Sequence, residues 1–294
     1  MSGPDLEVVI VSHGASDLLA NCLGSLRKHP ASLPMRVTVV DSGSPDETPD
    51  MVERDFPEVR LLRRENIGFS AANNLVLDEV AARSGARLVL LLNPDTEVFE
   101  GSLDAAVSRI DSEDSVGMVG IRLVTESGEL DHACKRSFPS PLSALGHFTG
   151  IGRLPNAPEA LSDYRATNLG EFEAGDLDAV NGAFMLVRRE ALLDVGPLDE
   201  GYWLYMEDLD WCRRFHEGGW KVFYEPAGKA LHIKGGSSPK RRRPKQEIAF
   251  HRGMGRFYRR FDAPQSPALF NLAVYLGIGA KLALSLAITA LKRR

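Results

Sequence analysis

Three sets of acids and one histidine in this chain stand where a catalytic cleft would need them. Asp41 ends the run RVTVVD, and Asp95 ends RLVLLLNPD. Each carboxylate falls just past the C-terminal end of a predicted strand, the edge where ligands bind in open α/β sheets. A glycine-containing loop, Asn66 to Gly68, lies between them, and two such acids on alternate strands around it describe a nucleotide pocket. Carboxylate oxygens combined with substrate phosphates suit magnesium or manganese. Glu207-Asp208 stands at the start of YMEDLDWCRRFHEGG, predicted helical over 205–219 and ended by its glycine pair. Met206 and Leu209 lie on apolar faces beside Asp208, which turns the carboxylate toward a cleft; acids at a helix start also serve the macrodipole. His232, in LHIKGG, follows another predicted strand, with Lys234 and the amides of Gly235 and Gly236 placed to hold phosphate.

The elements that must carry these residues alternate in type. EVVIVS at 7–12 is a continuous apolar run, the pattern of a strand buried on both faces. Leu18, Leu19, Cys22, Leu23 and Leu26 follow at helical spacing over 17–28, with Ser16 as the expected N-cap. Strands are predicted at 36–41, 59–63 and 87–95, and helices after SGSPDET and from NIGFSAANN to residue 84. Repeated β-α units with short connections predict a mostly parallel sheet covered by helices. Further strands are expected at 116–124 and 179–188, with KVFYEP and KALHIKGG completing the body. The Pro- and Gly-rich stretch 137–175 reads as a long loop suited to a substrate lid.

Hydrophobic content of 44% and charged content of 26% are those of a folded soluble body. Three cysteines, Cys22, Cys134 and Cys212, with no Cys-x-x-Cys, argue against a disulfide framework or structural zinc and fit a reducing compartment. The N-terminus lacks a basic region before its first apolar run, so no signal peptide is expected. Ten Lys/Arg and one acid fall between Lys234 and Arg260, leaving 25 basic and 39 acidic residues elsewhere. A basic segment on an acidic body suggests an anionic partner for that segment.

The motifs VVIVSHGASDLLANCLGSL, VVDSGSPDET, ENIGFSAANN, LLLNPDTEV, NGAFMLVRRE and YWLYMEDLDWCRR resemble glycosyltransferase family 2 in type and order, over residues 6 to 238. The resemblance implies the GT-A fold: a Rossmann-like, mostly parallel mixed α/β sheet flanked by helices. Residues 1–238 would form the catalytic domain, with 1–100 the nucleotide-binding half and 101–238 the acceptor-binding half. Within the family the pattern looks most like the rhamnosyltransferases. That branch implies inverting transfer of L-rhamnose from dTDP-L-rhamnose to a polyprenyl-diphosphate-linked GlcNAc, in building the arabinogalactan linker of the cell wall. The alternatives are a UDP-sugar donor in polysaccharide synthesis, or a non-catalytic nucleotide- or membrane-binding relative. A sugar-nucleotide pyrophosphorylase is disfavoured, because VSHGASD lacks the Gly-rich loop and lysine such chains carry after strand one.

By the same resemblance Asp208 is the base that deprotonates the acceptor hydroxyl, and Glu207 supports it. Asp95 and His232 are metal ligands for Mg2+ or Mn2+. The family's Asp-x-Asp is here Asn93-Pro94-Asp95, which removes one carboxylate and leaves metal binding more dependent on the nucleotide. Asp41 reads base or ribose, His13 stacks where relatives carry Tyr, Asn66, Gly68 and Asn73 line the neighbouring loop, and Asn93 completes the nucleotide-binding set. Asn181, Gly182 and Ala183 border donor sugar and acceptor. Trp203 and Tyr202 offer an apolar face to a sugar, with burial in the core as the other outcome. Arg136, in the RSFPSP loop, is expected at the acceptor diphosphate.

Residues 239–294 read as a basic and amphipathic helical tail. The run 267–291 is long enough to span a bilayer, yet Lys281 lies near its middle and basic residues flank both ends. An interfacial helix on anionic lipid is expected, with Arg241, Arg242, Arg243, Arg259 and Arg260 near head groups. That places the protein peripherally on the cytoplasmic face of the cell membrane. Packing on the domain, or on a second copy in a homo-oligomer, is the other outcome. Aromatics among the basic residues are sparse, so nucleic acid is not the expected partner.

Overall fold

The short apolar runs become the inner strands of one mixed sheet. The computed structural model describes residues 4–82, 86–138, 169–233 and 244–291. The expected lid therefore falls largely outside the described residues, as do Lys234, Gly235, Gly236, Arg241, Arg242 and Arg243. The strands are β1 (Leu6–Ser12), β2 (Met35–Ser42), β3 (Arg60–Arg64), β4 (Leu88–Leu92), β5 (Thr96–Val98), β6 (Val116–Val124), β7 (Gly175–Asp176), β8 (Phe184–Arg188) and β9 (Lys221–His232). Among the described residues their order is β3-β2-β1-β4-β8-β6-β9-β5, with β7 pairing β9. β3, β2, β1 and β4 run parallel; β8 is antiparallel to β4 and β6, and β6 is parallel to β9. Residues 88–92 of β4 are buried throughout, as expected of a strand covered on both faces.

The helices are α1 (Ser16–Lys28), α2 (Thr48–Asp55), α3 (Phe69–Ala82), α4 (Ser102–Ser112), α5 (Arg189–Val195), α6 (Glu207–Glu217), α7 (Pro244–Phe261) and α8 (Ala268–Leu291). Leu19, Cys22, Leu23 and Leu26 of α1 are buried, as their spacing predicts. The cap of α1 is Ala15 in the left-handed region (φ 66°), not Ser16. Asp46, from the loop before α2, accepts from the Ala15 amide at 3.0 Å and does the work expected of Ser16.

Three boundaries differ from expectation for local chemical reasons. β4 stops at Leu92, because Pro94 has no amide to continue the ladder; Thr96–Val98 then pairs with β9 as a separate strand. β8 starts at Phe184, because the Asn181 side chain accepts from the Ala183 amide at 2.8 Å and turns the chain. KVFYEP and the first four residues of KALHIKGG are one strand, β9, with a register shift opposite Ile121 and Arg122.

The largest departure is α7. It docks on the body, burying His251, Gly253, Phe257, Tyr258 and Phe261. Burial of each phenylalanine contributes about 1.5–3 kcal/mol. Phe257 stacks at 4.9 Å from Phe261 and 6.5 Å from Phe138. Arg256 grips Asp199 through two bonds of 2.9 and 2.8 Å. Arg260, expected at lipid head groups, lies 3.2 Å from both Asp199 and the fully buried Asp210. Part of the basic segment expected to face an anionic partner instead supplies counter-ions to acids in the body. The three cysteines are free and buried, and burial pushes their thiols up, so they are inert.

Candidate active site at the C-terminal edge of the sheet

The end of β4 and the end of β9 meet. Thr96 is in register with His232, and the Ile233 amide donates to the Asp95 carbonyl at 3.0 Å. This brings the Asp95 Oδ1 and His232 Nε2 atoms to 3.6 Å. The other imidazole nitrogen, Nδ1, lies 2.8 Å from Oδ2 of Asp131. A carboxylate only accepts, so Nδ1 carries a proton; in the neutral imidazole Nε2 then has its lone pair on the side of Asp95. An oxygen and an imidazole nitrogen at this separation fit Mn2+ or Mg2+, with remaining positions left to diphosphate oxygens and water. No group of three or more His, Cys, Asp and Glu side chains suited to a metal occurs among the described residues. Loss of the first carboxylate of Asp-x-Asp, at Asn93, is consistent with that two-ligand corner.

The second corner is built from a strained turn. Tyr205 and Met206 both adopt positive φ, 70° and 75°, immediately before α6. Consecutive left-handed residues with β-carbons store strain and persist only where packing holds them. Here the turn is packed by α7: Phe250 stacks on Tyr205 at 6.0 Å, and Gly253 leaves only the room that Met206 and the Tyr205 carbonyl occupy. Asp208 emerges from this turn. Its Oδ2 accepts from the Arg136 guanidinium at 2.6 Å and from the Gly182 amide at 3.3 Å. Arg136, expected at the acceptor diphosphate, is therefore the ion-pair partner of Asp208; it also donates to the Val180 carbonyl. Glu207 is buried, and its Oε2 has no hydrogen-bond partner among the described residues. Burial, then the neighbouring charge of Asp208, pushes its carboxyl up to about 8.

One short segment joins the two corners. The Asn93 amide donates to the Ala183 carbonyl at 3.1 Å, two residues before Asp95. The adjacent Gly182 amide reaches Asp208. Asp95 and Asp208, 113 positions apart in the sequence, thus flank the same turn at the same edge of the sheet. Asn181, Gly182 and Ala183 act here through backbone groups and one turn-forming amide.

The third corner lies past β1 and β2. Asp41 is buried, Oδ2 accepts from the Ser44 amide at 3.3 Å, and Oδ1 is buried with no hydrogen-bond partner among the described residues. His13 is exposed beside it, its Nδ1 donating to the Ser42 carbonyl at 2.9 Å. A Cβ built on Gly43 would lie 3.3 Å from the Asn66 amide nitrogen, so the Asn66 loop borders this corner.

Three expectations around it change. Asn73 is buried in α3 and donates to the Phe69 carbonyl at 2.9 Å, bracing the helix start instead of lining a loop. Gly68 answers to Trp203: a Cβ there would lie 2.5 Å from the indole. Trp203 carries the Lys245 ammonium 3.9 Å over its ring, so that face is covered; Tyr202 is core, its hydroxyl donating to Asp210 at 3.1 Å. Asp131, Asp199, Lys245 and Arg256 were not singled out from the sequence. No local signal marks them, since each is defined by a partner on a distant element.

The fold is that of the GT-A glycosyltransferases. A mannosyltransferase from Pyrobaculum calidifontis, solved with GDP-Man and Mn2+, superposes with a TM-score of 0.57 at 18% identity, covering 99% of this chain and 76% of that one. The model of glycosyl transferase family 2 matches residues 7–195, and the chain belongs to that family. It is 30% identical over 254 residues to the N-acetylglucosaminyl-diphospho-decaprenol L-rhamnosyltransferase of Mycobacterium tuberculosis H37Rv, covering 84% of this chain and 81% of that protein. It is 24% identical to the rhamnosyltransferase WbbL of Escherichia coli K12, covering 76% and 82%. The protein is a glycosyltransferase of rhamnosyltransferase-like type.

Proposed function

We propose that this enzyme transfers L-rhamnose, with inversion, from dTDP-L-rhamnose to a polyprenyl-diphosphate-linked GlcNAc, in building the arabinogalactan linker of the cell wall. The observation that carries the reading is the shared attachment of the Asp95 turn and of Asp208 to Asn181–Ala183. On this reading a cation corner and a proton acceptor stand on either side of the Asn181–Ala183 turn, with the reacting sugar between them. The names of two relatives support rhamnose as the sugar, and that of the Mycobacterium tuberculosis relative supports a polyprenyl-diphosphate-linked GlcNAc as acceptor.

In this mechanism Asp41, with a buried acceptor oxygen, takes a donor N–H or O–H from the nucleoside, and His13 covers the base. Asp95 and His232 would hold a divalent ion, which when bound would supply charge neutralisation for the departing diphosphate. Asp208, oriented by Arg136 and Gly182, takes the proton from the acceptor hydroxyl as that oxygen attacks the anomeric carbon and the bond to dTDP breaks. Glu207, held neutral by its surroundings, keeps a second negative charge away from the developing one.

α8 supports a site on the cytoplasmic face of the membrane. It is 24 residues of apolar helix. Residues 268–290 are long and apolar enough to cross a bilayer, and none of that stretch is buried within the chain. It joins α7 through the Tyr258–Asn271 bond of 2.5 Å. Lying on anionic lipid, it brings the acceptor edge to a lipid-borne substrate. A donor panel tests the reading: dTDP-rhamnose and UDP-sugars, each with polyprenyl-diphospho-GlcNAc, with and without chelator. Transfer from dTDP-rhamnose that stops in chelator is expected. Transfer from UDP-sugars alone, or full activity in chelator, overturns it.

A further inference from the structure

We infer that Asp131 is a positioning residue for His232, fixing which imidazole nitrogen faces the cation corner. The inference rests on reading Asp95 and His232 as the metal ligands. Asp131 lies on neither strand that forms that corner. It follows β6, where Leu130 bridges back to Val124 and the Asp131 amide donates to the Leu123 carbonyl at 2.8 Å. Its side chain is fully buried and committed on both oxygens. Oδ1 accepts from the Ala133 amide at 2.9 Å, capping the turn His132–Cys134. Oδ2 takes the Nδ1 proton of His232 at 2.8 Å.

Both oxygens are asked to accept, and that is what makes the position specific for a carboxylate. An asparagine of the same shape supplies one acceptor and one donor. With its oxygen on Ala133, its amide NH2 faces Nδ1 and drives the imidazole proton to Nε2. That proton then points at Asp95, and the nitrogen no longer has a lone pair for a cation. With its oxygen on His232, the turn loses its cap. The ionised carboxylate meets both demands and, in the neutral imidazole, leaves the Nε2 lone pair on the side of the Asp95 oxygen, at 3.6 Å. A cation between them removes the repulsion of the two electron pairs. Carboxylate partners of ligating histidines commonly set ring orientation and basicity in this way.

The test needs no turnover. Imidazole nitrogen NMR on the metal-free wild type should find His232 protonated at Nδ1; a proton on Nε2 overturns the inference whatever any variant does. Mn2+ binding, followed by EPR with dTDP present, should weaken about 10–100-fold in Asp131→Asn, with dTDP affinity in the absence of metal unchanged. A thermal melt checks that the variant is folded. His232→Ala separates the two levels. If it loses Mn2+ while Asp131→Asn retains wild-type affinity, the positioning role fails and the metal corner stands. If His232→Ala binds Mn2+ as the wild type does, the metal corner and the inference fall together.

Discussion

Alanine at Gly68 separates the cost of a left-handed backbone from the cost of a collision. Gly68 has φ +94°, and an added Cβ would sit 2.5 Å from Trp203 Cδ1, 2.9 Å from its Nε1 and 2.8 Å from its carbonyl oxygen. Relaxed carbon contacts lie at about 3.5–4.0 Å, so the indole has to move by about 1 Å. The carbonyl is not free to follow, because it accepts from the Phe69 amide at 2.8 Å at the start of α3. The backbone term is about 1–2 kcal/mol, and forced overpacking adds about 1–3 kcal/mol. Restricting the unfolded chain returns about 0.4–1 kcal/mol. The net expected destabilisation is about 2–4 kcal/mol, read as a lower urea midpoint at constant slope. Gly101 supplies the control: its φ is +73°, and nothing lies within 4 Å of a Cβ there. Gly101→Ala carries only the backbone term and should cost about 1 kcal/mol. Trp203 precedes the Tyr205–Met206 turn that aims Asp208, and a shift of about 1 Å there should lower kcat up to about a hundredfold. Equal destabilisation by Gly68→Ala and Gly101→Ala, or strict additivity of Gly68→Ala with Trp203→Ala, would refute the collision.

Asp208→Asn should lower sugar transfer by about 10²–10⁴-fold, as loss of a general base does, while calorimetry finds nucleotide binding unaltered; retained transfer removes Asp208 as base. Glu207 makes stability pH-dependent: its folded carboxyl is raised to about 8 from 4.5, so the unfolded chain ionises first. The contribution is complete below about pH 4.5 and is lost as pH rises to about 8. Urea midpoints should fall over that window and should flatten in Glu207→Gln; an unchanged slope in the variant contradicts the burial argument. Removal of residues 267–294 should leave the melt of the body nearly unaltered and abolish flotation with phosphatidylglycerol vesicles, since α8 buries little of itself on the chain; co-flotation of the shortened chain would place the lipid contact elsewhere.

Asp41 and Asp95 were legible from sequence because their positions depend on local pattern. Each closes an apolar run, and in a parallel sheet the closing end is the ligand edge. The acids of α6 were legible in the same way, as a helix start ahead of a glycine stop. Residues whose meaning depends on a remote partner were not. Asp131 and His232 are 101 positions apart; Arg256 meets Asp199 across 57 positions, and Arg260 meets Asp210 across 50. In the sequence those arginines belong to a basic tract, and only docking reveals that two of them neutralise acids. Trp203 is a sugar-stacking candidate by type, and tertiary packing set a lysine over its ring and a glycine against its edge. The division follows the range of the forces. Strand and helix ends come from hydrophobic period and backbone chemistry within a few residues. Ion pairs, cap sharing and the tautomer of a histidine form only once the sheet has brought separate edges within hydrogen-bond reach.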